Sequence, residues 1–288
     1  MKIKRIVLAG LFLVSGVSVL TAQVKLSFNP EKGTKYEYRQ ELIQNSLSNV
    51  MGQDFEMITE MKVVYLMEIK DKTPEETNVQ FTYREAAYKG SGPMMNMGFD
   101  SNNPDDKMFG KIIGQSFIAV IAPDGSVKSL TGIDEIAENM NHTLLAGDPM
   151  GEQMKQMFSG ASLKNTFEQS FRIYPDHAVK EGDNWNSEFA LTMDPMNTNT
   201  KTKYTLKEFN EQTATVDIES DVEVEMAASS IMEGKIAGTQ SGVMLVDIPT
   251  GMPVSSDLKQ KMQGMIVAQG YEIQMDMENK VNTSIKKQ

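Results

Sequence analysis

Few of the residues that commonly carry out catalysis occur in spacings that would let them act together. The sequence contains two histidines, His142 and His177, and no cysteine. His177 directly follows Asp176, and successive side chains of an extended chain point to opposite faces, so we expect the two to diverge rather than form the base and acid of a hydrolytic triad. The surrounding stretch YPDHAVKEGDNW instead predicts a connection from a helix to a strand that begins at Trp185, with the indole in the core.

Two serines lie in incomplete versions of catalytic motifs. Ser241 occurs in GTQSG, which is one residue away from the spacing of a nucleophile elbow. Ser256 precedes Lys259 by three residues, but the companion motifs of serine–lysine enzymes are missing. The sequence also lacks a phosphate-binding loop and a dinucleotide fingerprint. We therefore predict a protein that is not an enzyme and uses no cofactor, and we rank a hydrolase last.

Metal binding has little support in the sequence. The histidines are not at helical metal-ligand spacing, and the acidic stretch DSNNPDD (residues 100–106) lacks the spacing and the glycine of an EF-hand loop. The thioethers of the 23 methionines could bind Cu(I), and the trio Met94, Met95 and Met97 in a predicted loop is the best candidate. We predict no metal site.

Most methionines alternate with polar residues and would lie on the dry faces of strands. Methionine is flexible and polarizable, so such faces suit either an ordinary core or a pliable apolar pocket. We predict that an apolar small molecule or lipid binds between sheet and helices. The alternative is a solid interior in a structural module that binds another envelope protein through its acidic surface or through residues 91–110. The predicted ligand-binding residues are Phe55, Met57, Met61, Tyr65, Ile273, Met275 and Met277.

An acidic segment, TVDIESDVEVE (residues 215–225), places five carboxylates on one face of a predicted strand. A turn near Asn210 would set Lys203 opposite Asp217 and Lys201 opposite Glu219 on the preceding strand. We interpret the segment as a solvated face stabilised by ion pairs. A glycosidase site would need a cleft and two carboxylates in distinct environments.

The elements that must position these residues are mainly strands. Residues 55–69 and 271–281 alternate apolar and polar positions, and turns are predicted at residues 123–125 and 249–251. Apolar spacings of three and four predict about three helices over 131–173. The predicted fold class is therefore α+β: a curled antiparallel sheet, in half-barrel-like meanders, with a central helical segment packed on one face.

We expect a single β-rich domain over residues 23–288. Its first meander would span 23–130, its helical segment 131–173 and its second meander 174–288. A two-domain arrangement is the alternative. Residues 91–110, rich in Gly, Pro, Asn and Asp, predict a long mobile loop between strands of the first meander.

The first 22 residues predict a signal peptide. Three cationic residues precede an apolar run over residues 6–20, and Ala22-Gln23 fits a cleavage site. The run is shorter than a membrane span, which needs about 20 residues. We expect a soluble exported protein, periplasmic or secreted, that is not a lipoprotein because it has no cysteine. The net charge of −11 argues against a nucleic-acid partner.

The pattern Tyr174-Pro-x-x-x-Val179-x-x-Gly-Asp-x-Trp185 resembles the central signature of a secreted bacterial family, domain of unknown function 6263. The Gly33-x-x-Tyr36 start, the PDGSV hairpin followed by Thr-Gly, and the DIPTG pattern at residues 247–251 fit the same family. The resemblance implies no catalytic residues, because none are established for that family. The predicted layout also looks like the half-barrel lipoprotein carriers of the envelope, in architecture alone.

Overall fold

The computed structural model describes residues 22–93, 95–103, 105–106, 112–136, 159–193, 196–226 and 232–288. Strands hold 68% of these residues and helices 7%. The α+β prediction is therefore wrong, and the protein is nearly all antiparallel sheet. Of the predicted helical segment, the described part contains one twelve-residue helix and a helical turn over residues 133–136. Residues 137–158, including His142, lie outside the described residues.

The strands are long, several with 14 to 20 residues, and short turns join most of them. The alternation of apolar and polar residues, which the sequence shows over ten residues, therefore extends along strands that are longer than this. The strands are β1 Lys35–Val50, β2 Gln53–Lys72, β3 Thr77–Gly92, β4 Met95–Asp100, β5 Ser116–Ile121, β6 Val127–Thr131, β7 Asn184–Met193, β8 Met196–Phe209, β9 Thr213–Met226, β10 Met232–Asp247, β11 Pro253–Ala268 and β12 Tyr271–Lys287, and the helix α1 is Gly160–Phe171.

All the strands belong to one sheet, in the order β6-β5-β3-β2-β1-β12-β11-β10-β9-β8-β7, with β4 also paired to β3. The central pair is β1 with β12, which runs in continuous register from Tyr36–Lys287 to Val50–Ile273. The two predicted β meanders are therefore joined edge to edge. We call the end of the sheet at residues 249–251 the near end and the end at residues 51–52 the far end.

The sheet is curled around α1. The helix contacts both outer strands, β6 and β7. A helix of twelve residues is about 18 Å long. In a flat sheet of eleven strands, counted from β6 to β7, the two edge strands would be roughly 50 Å apart. Only a strongly curled sheet brings both edges to one helix. We call the face that packs against α1 the inner face.

An extended segment, residues 24–29, crosses the near end, and we call it the strap. Val24 forms two backbone hydrogen bonds with Val179, ahead of β7. The Phe28 N–H donates to the Pro123 carbonyl at the β5–β6 turn, and the Asn29 N–H donates to the Thr250 carbonyl at the β10–β11 turn. The strap therefore ties together turns from both halves of the sheet.

Two cores fill the near half of the inner face. The first packs α1 against β1, β2, β3 and β5 with aromatic rings, among them Tyr38, Tyr65, Phe81 and Phe117 around Phe167. The second lies under the strap against β7 to β10. The ring of Trp185 is buried there as predicted, and its Nε1 donates to the Ile173 carbonyl at 2.8 Å.

The predicted mobile loop over residues 91–110 is wrong in part, because Met95–Asp100 forms β4. This strand pairs with β3 from Ala87–Asp100 to Gly92–Met95. In the turn that follows, Asp106 Oδ2 accepts a hydrogen bond from the Asp100 N–H. Met94, from the proposed copper trio, lies outside the described residues.

Candidate functional site

A row of eight polar residues crosses the inner face at one level of the sheet. The strand register places them side by side from β2 to β7, and none of them is fully exposed. Each is uncharged and can donate and accept hydrogen bonds. We call this set the polar row; in spatial order it consists of Thr59, Gln44, Asn279, Gln260, Gln240, Ser220, Thr202 and Ser187.

The rows on either side of the polar row are largely apolar. Because alternate residues of a strand share a face, these rows are the inner-face neighbours at two residues before and after. Toward the near end the row is Met61, Leu42, Val281, Leu258, Gly242, Ile218, Tyr204 and Trp185. Toward the far end it is Met57, Ser46, Met277, Met262, Gly238, Val222, Thr200 and Phe189. The polar row thus interrupts an apolar face.

The polar row is only partly satisfied by its own hydrogen bonds. Asn279 Nδ2 donates to Gln260 Oε1 at 2.5 Å, and the hydroxyls of Thr202 and Ser220 are 2.9 Å apart. Asn279 Oδ1 is inaccessible to solvent and accepts no hydrogen bond from any described residue. Buried polar atoms are usually paired, so within the described chain this oxygen lacks the donor that its burial calls for.

A cavity of about 250 Å³ lies between α1 and the inner face of β1 and β7 to β12. Four members of the polar row line it: Ser187, Thr202, Gln240 and Gln260. The helix contributes polar side chains such as Ser170, and apolar residues of the neighbouring rows complete the wall. The cavity is therefore amphipathic, and its polar groups come from the polar row, from α1 and from other levels of the inner face, such as Gln40, Ser256 and Thr283.

The wall of the cavity carries almost no net charge. Its charged residues are Glu168 and Arg172, one of each sign. Burial raises the pKa of Asp124, but hydrogen bonds from Ser126 and the charge of Arg172 outweigh it, so the carboxylate next to Arg172 stays ionised. Burial also raises the pKa of Tyr38, whose hydroxyl lies 3.2 Å from Ser170 Oγ, so this phenol stays neutral.

All seven predicted ligand-binding residues are on the inner face, and six of them lie in the rows next to the polar row or beyond it toward the far end. Met57 and Met277 lie on either side of Ser46 in one row, and Phe55 and Met275 lie on either side of Ser48 in the next. Met61 is opposite Leu42, and Ile273 is opposite Val50. These side chains are half-buried. Their role in binding stays a prediction.

Tyr65, the seventh predicted residue, belongs to the packed core. Its side chain is 6% exposed, and its ring contacts those of Tyr38, Phe81 and Phe167. Burial raises its pKa well above the ordinary value. Tyr65 therefore supports α1 rather than lining the cavity.

The polar row was missed in the sequence, although its signal is present there. Asn279 is in phase with Met277 and Val281, and Ser220 is in phase with Ile218 and Val222. A polar residue on the apolar phase of a long strand marks a polar group on the buried face. No single strand reveals, however, that eight neighbouring strands each place such a residue at the same position along the sheet.

The structure separates the residues of the partial catalytic motifs. Ser256 lines the cavity on the inner face, whereas Lys259 lies three positions along β11 and hence on the outer face. Ser241 is on the outer face, paired with Glu219 and Lys259. Among the described residues, no group of three or more His, Asp or Glu side chains could hold a metal ion.

The expectation that Asp176 and His177 diverge is wrong. His177 Nδ1 lies 2.5 Å from Asp176 Oδ1, and the hydrogen bond lowers the pKa of the Asp176 carboxyl. The chain bends after α1 rather than extending, which turns both side chains the same way. Both are exposed to solvent at the surface, away from the cavity lining.

The acidic segment of β9 pairs two residues out of the predicted register. Lys203 faces Glu219, with Nζ 3.5 Å from Oε2, and Lys201 faces Asp221. The difference arises because the turn is centred beyond Asn210 and a bulge follows Leu206. On the other side, Lys235 of β10 pairs with the carboxylates of residues 223 and 225. Ion pairs on an exposed face thus offset the carboxylates.

Residues 74–253, more than half of the chain, match the family described as "Family of unknown function (DUF6263)". The protein therefore belongs to that family. The match covers β3 to β10, whereas the Gly33-x-x-Tyr36 motif lies outside it. No curated protein matches the sequence.

Solved structures with similar chain traces include lipovitellin, described for its lipid–protein interactions, at 7% identity and a TM-score of 0.48. That alignment covers 89% of this chain and 26% of lipovitellin, so the chain spans about a quarter of that protein. OccK7 of Pseudomonas aeruginosa (6% identity, TM-score 0.24, 88% of this chain and 100% of that one) and OmpF of Salmonella typhi in complex with daunomycin (9%, 0.25, 88% and 98%) are also similar. Within the described residues, no helix is long and apolar enough to cross a membrane.

Proposed function

We propose that the protein is an exported, non-enzymatic binding protein that holds a small molecule with an apolar chain between α1 and the inner face of the sheet. The observation that carries this proposal is the cavity of about 250 Å³ under α1, whose wall is amphipathic and almost uncharged. Export is supported by the signal-like first 22 residues.

Beyond the cavity, the inner face continues along the strands into its methionine-rich far half. On β12 the cavity residues Thr283 and Val281 are followed in phase by Met277 and Met275. Alone, the cavity is slightly smaller than ordinary ligand pockets of about 300–1,000 Å³. A ligand with a long chain would gain further contacts by extending over the flexible methionine side chains.

A second candidate function is that of a protein-interaction module. The specific observation in its favour is the outer face, where Ile43 and Ile58 are 44% and 45% exposed on neighbouring strands. An envelope protein could pack on these side chains. In that case the cavity would stay empty.

The test is native mass spectrometry of the protein purified from its own envelope, with a denatured sample for comparison. We expect an additional mass that denaturation releases. Ser187→Trp, on the cavity side of β7, should lower the occupancy severalfold because the indole fills the cavity. Asn186→Trp, its neighbour on the opposite face, is the matched control and should keep wild-type occupancy. A bare mass, together with no uptake of added lipid, would overturn the proposal.

A further inference from the structure

We propose that the polar row selects an uncharged amphiphile: a long apolar chain that carries a hydroxyl, ester or amide group, in preference to a lipid with a carboxylate or phosphate. This inference rests on the proposed function and names the chemical class of its ligand. Three properties of the inner face support this inference: the hydrogen-bonding groups of the polar row, the charges of the residues around that row, and the length of the apolar strip between the row and the far end.

The polar row supplies hydrogen bonds at a level of the inner face where the rows on either side are largely apolar. A ligand that placed only hydrocarbon over the row would cover amides and hydroxyls without pairing them, which is unfavourable. Asn279 Oδ1 is already cut off from solvent with no donor among the described residues, and Gln240 makes no side-chain hydrogen bond within the described chain. A hydroxyl, ester or amide at this level would pair with such groups.

The charges around the row favour a neutral group. Glu168 and Arg172 are the charged residues of the cavity wall, and Arg172 already interacts with Asp124. An ionised carboxylate or phosphate would therefore enter a partly buried site where the charge of Arg172 is already balanced by Glu168 and acts on Asp124, and burying an incompletely compensated charge is costly. The net charge of −11 opposes an anion further.

The apolar strip beyond the row fits one long chain. From Asn279 to Ile273 the strand advances six residues, which is about 20 Å. Met277 and Met275 lie between them on the same face, and Met262 and Ile266 of β11 lie alongside. The polar group would thus lie at the edge of the cavity under α1, with its chain running toward the far end.

The experiment compares three probes that share a long unbranched chain but differ at one end. They are monooleoylglycerol, which is uncharged and polar; oleate, which is anionic; and 1-octadecene, which has no polar group. Binding to delipidated protein is measured by titration at neutral pH. We expect monooleoylglycerol to bind at least about tenfold more tightly than either of the others, the ratio that one well-made buried hydrogen bond provides.

A double variant, Asn279→Leu with Gln260→Leu, removes both partners of one hydrogen bond and leaves neither unpaired. It should weaken monooleoylglycerol binding about tenfold and keep or improve octadecene binding. Gln263→Leu, on the outer face of the same strand, is the matched control and should change neither. If the double variant does not fold, Gln240→Leu provides the same comparison, since its amide has no partner among the described residues to lose.

The outcomes separate this inference from the proposed function. If no probe binds, the proposed function fails. If oleate or octadecene binds as tightly as monooleoylglycerol, or if the double variant keeps the wild-type ratio, the function stands and selection by the polar row is wrong.

Discussion

Two glycines show how single residues permit the contacts that hold the curled sheet together. At Gly251 the φ angle is +66°, and a Cβ would lie 1.7 Å from the Ser27 carbonyl oxygen of the strap. At Gly270, in the β11–β12 turn, φ is +84° but no atom lies within 4 Å of the Cβ position. Gly251 therefore provides both a left-handed conformation and a close approach, whereas Gly270 provides the conformation alone.

This difference gives a prediction. Gly270→Ala should lower the free energy of unfolding by about 1–2 kcal/mol, the cost of a left-handed non-glycine residue. Gly251→Ala should cost clearly more, since the strap must also move away from the turn. Urea unfolding of both variants measures the comparison. Equal losses would show that the contact between strap and turn contributes nothing to stability.

Individual side chains were predictable from the sequence where the local pattern decides their environment. The burial of Trp185 follows from its place at the start of a strand, and the seven proposed ligand-binding residues do share a face. The placement of Tyr65 was not predictable, because it depends on Phe167 of α1 reaching it from more than a hundred residues away. Neither was the Asp176–His177 contact, which depends on a bend in the backbone.

At the level of elements, the helix α1 is held by one apolar edge. Leu163, Phe167 and Phe171 recur at intervals of four and are buried, whereas the opposite side borders the cavity or solvent. The helix begins at the N-cap Ser159, whose side chain accepts a hydrogen bond from the Ser162 N–H. α1 thus serves the first core and the cavity.

Removing the ring of Phe167, the central residue of this apolar edge, should weaken the packing of α1 against the sheet. Phe167 is 1% exposed and contacts the rings of Tyr38, Phe81 and Phe117. We expect Phe167→Ala to lower the free energy of unfolding by about 3–5 kcal/mol, the range for a large buried aromatic side chain. Lys164→Ala, one turn away and partly exposed, should change it by less than about 0.5 kcal/mol. A loss below 1 kcal/mol for Phe167→Ala would mean that α1 is not anchored by this core.

The sequence predicted the strands better than the helices for a physical reason. Alternation in β2 and β12 is set by one dry face and one wet face along the whole strand, so a short window reveals the phase. Apolar spacings of three and four occur over much of residues 131–172, where the described parts, 131–136 and 159–172, contain a helical turn and α1. Predicting the length of each strand would have required knowing its partners.

The described part of the chain has three core clusters within one sheet, and the two in the near half should unfold together. Tyr83 lies in the first core and Tyr204 in the second, and burial raises the pKa of each to about 12. A tyrosine whose pKa is higher in the folded state stabilises the fold fully below its unfolded pKa of about 10. That stability is lost as the pH rises from about 10 toward 12.

We therefore predict a single alkaline transition between about pH 10 and 12, in which tyrosinate absorbance and the fluorescence of Trp185 change together. Tyr83→Phe and Tyr204→Phe should each reduce the absorbance change without splitting the transition. Two separate transitions, one following each tyrosine, would instead show that the halves of the sheet behave as independent domains.

The pairing of β1 with β12 has a consequence for how the chain acquires this structure. These strands lie more than 200 residues apart in sequence but form the centre of the sheet. To form contacts between such distant segments, the chain must close a long loop, which costs conformational entropy before the contacts stabilise the fold. Folding that depends on such contacts is therefore slow. Until β12 arrives, β1 and β11 each present a bare edge that could pair with other chains. Synthesis of all but the last strand would thus yield an aggregation-prone intermediate, and the time needed for β12 to pair sets how long those two edges stay exposed.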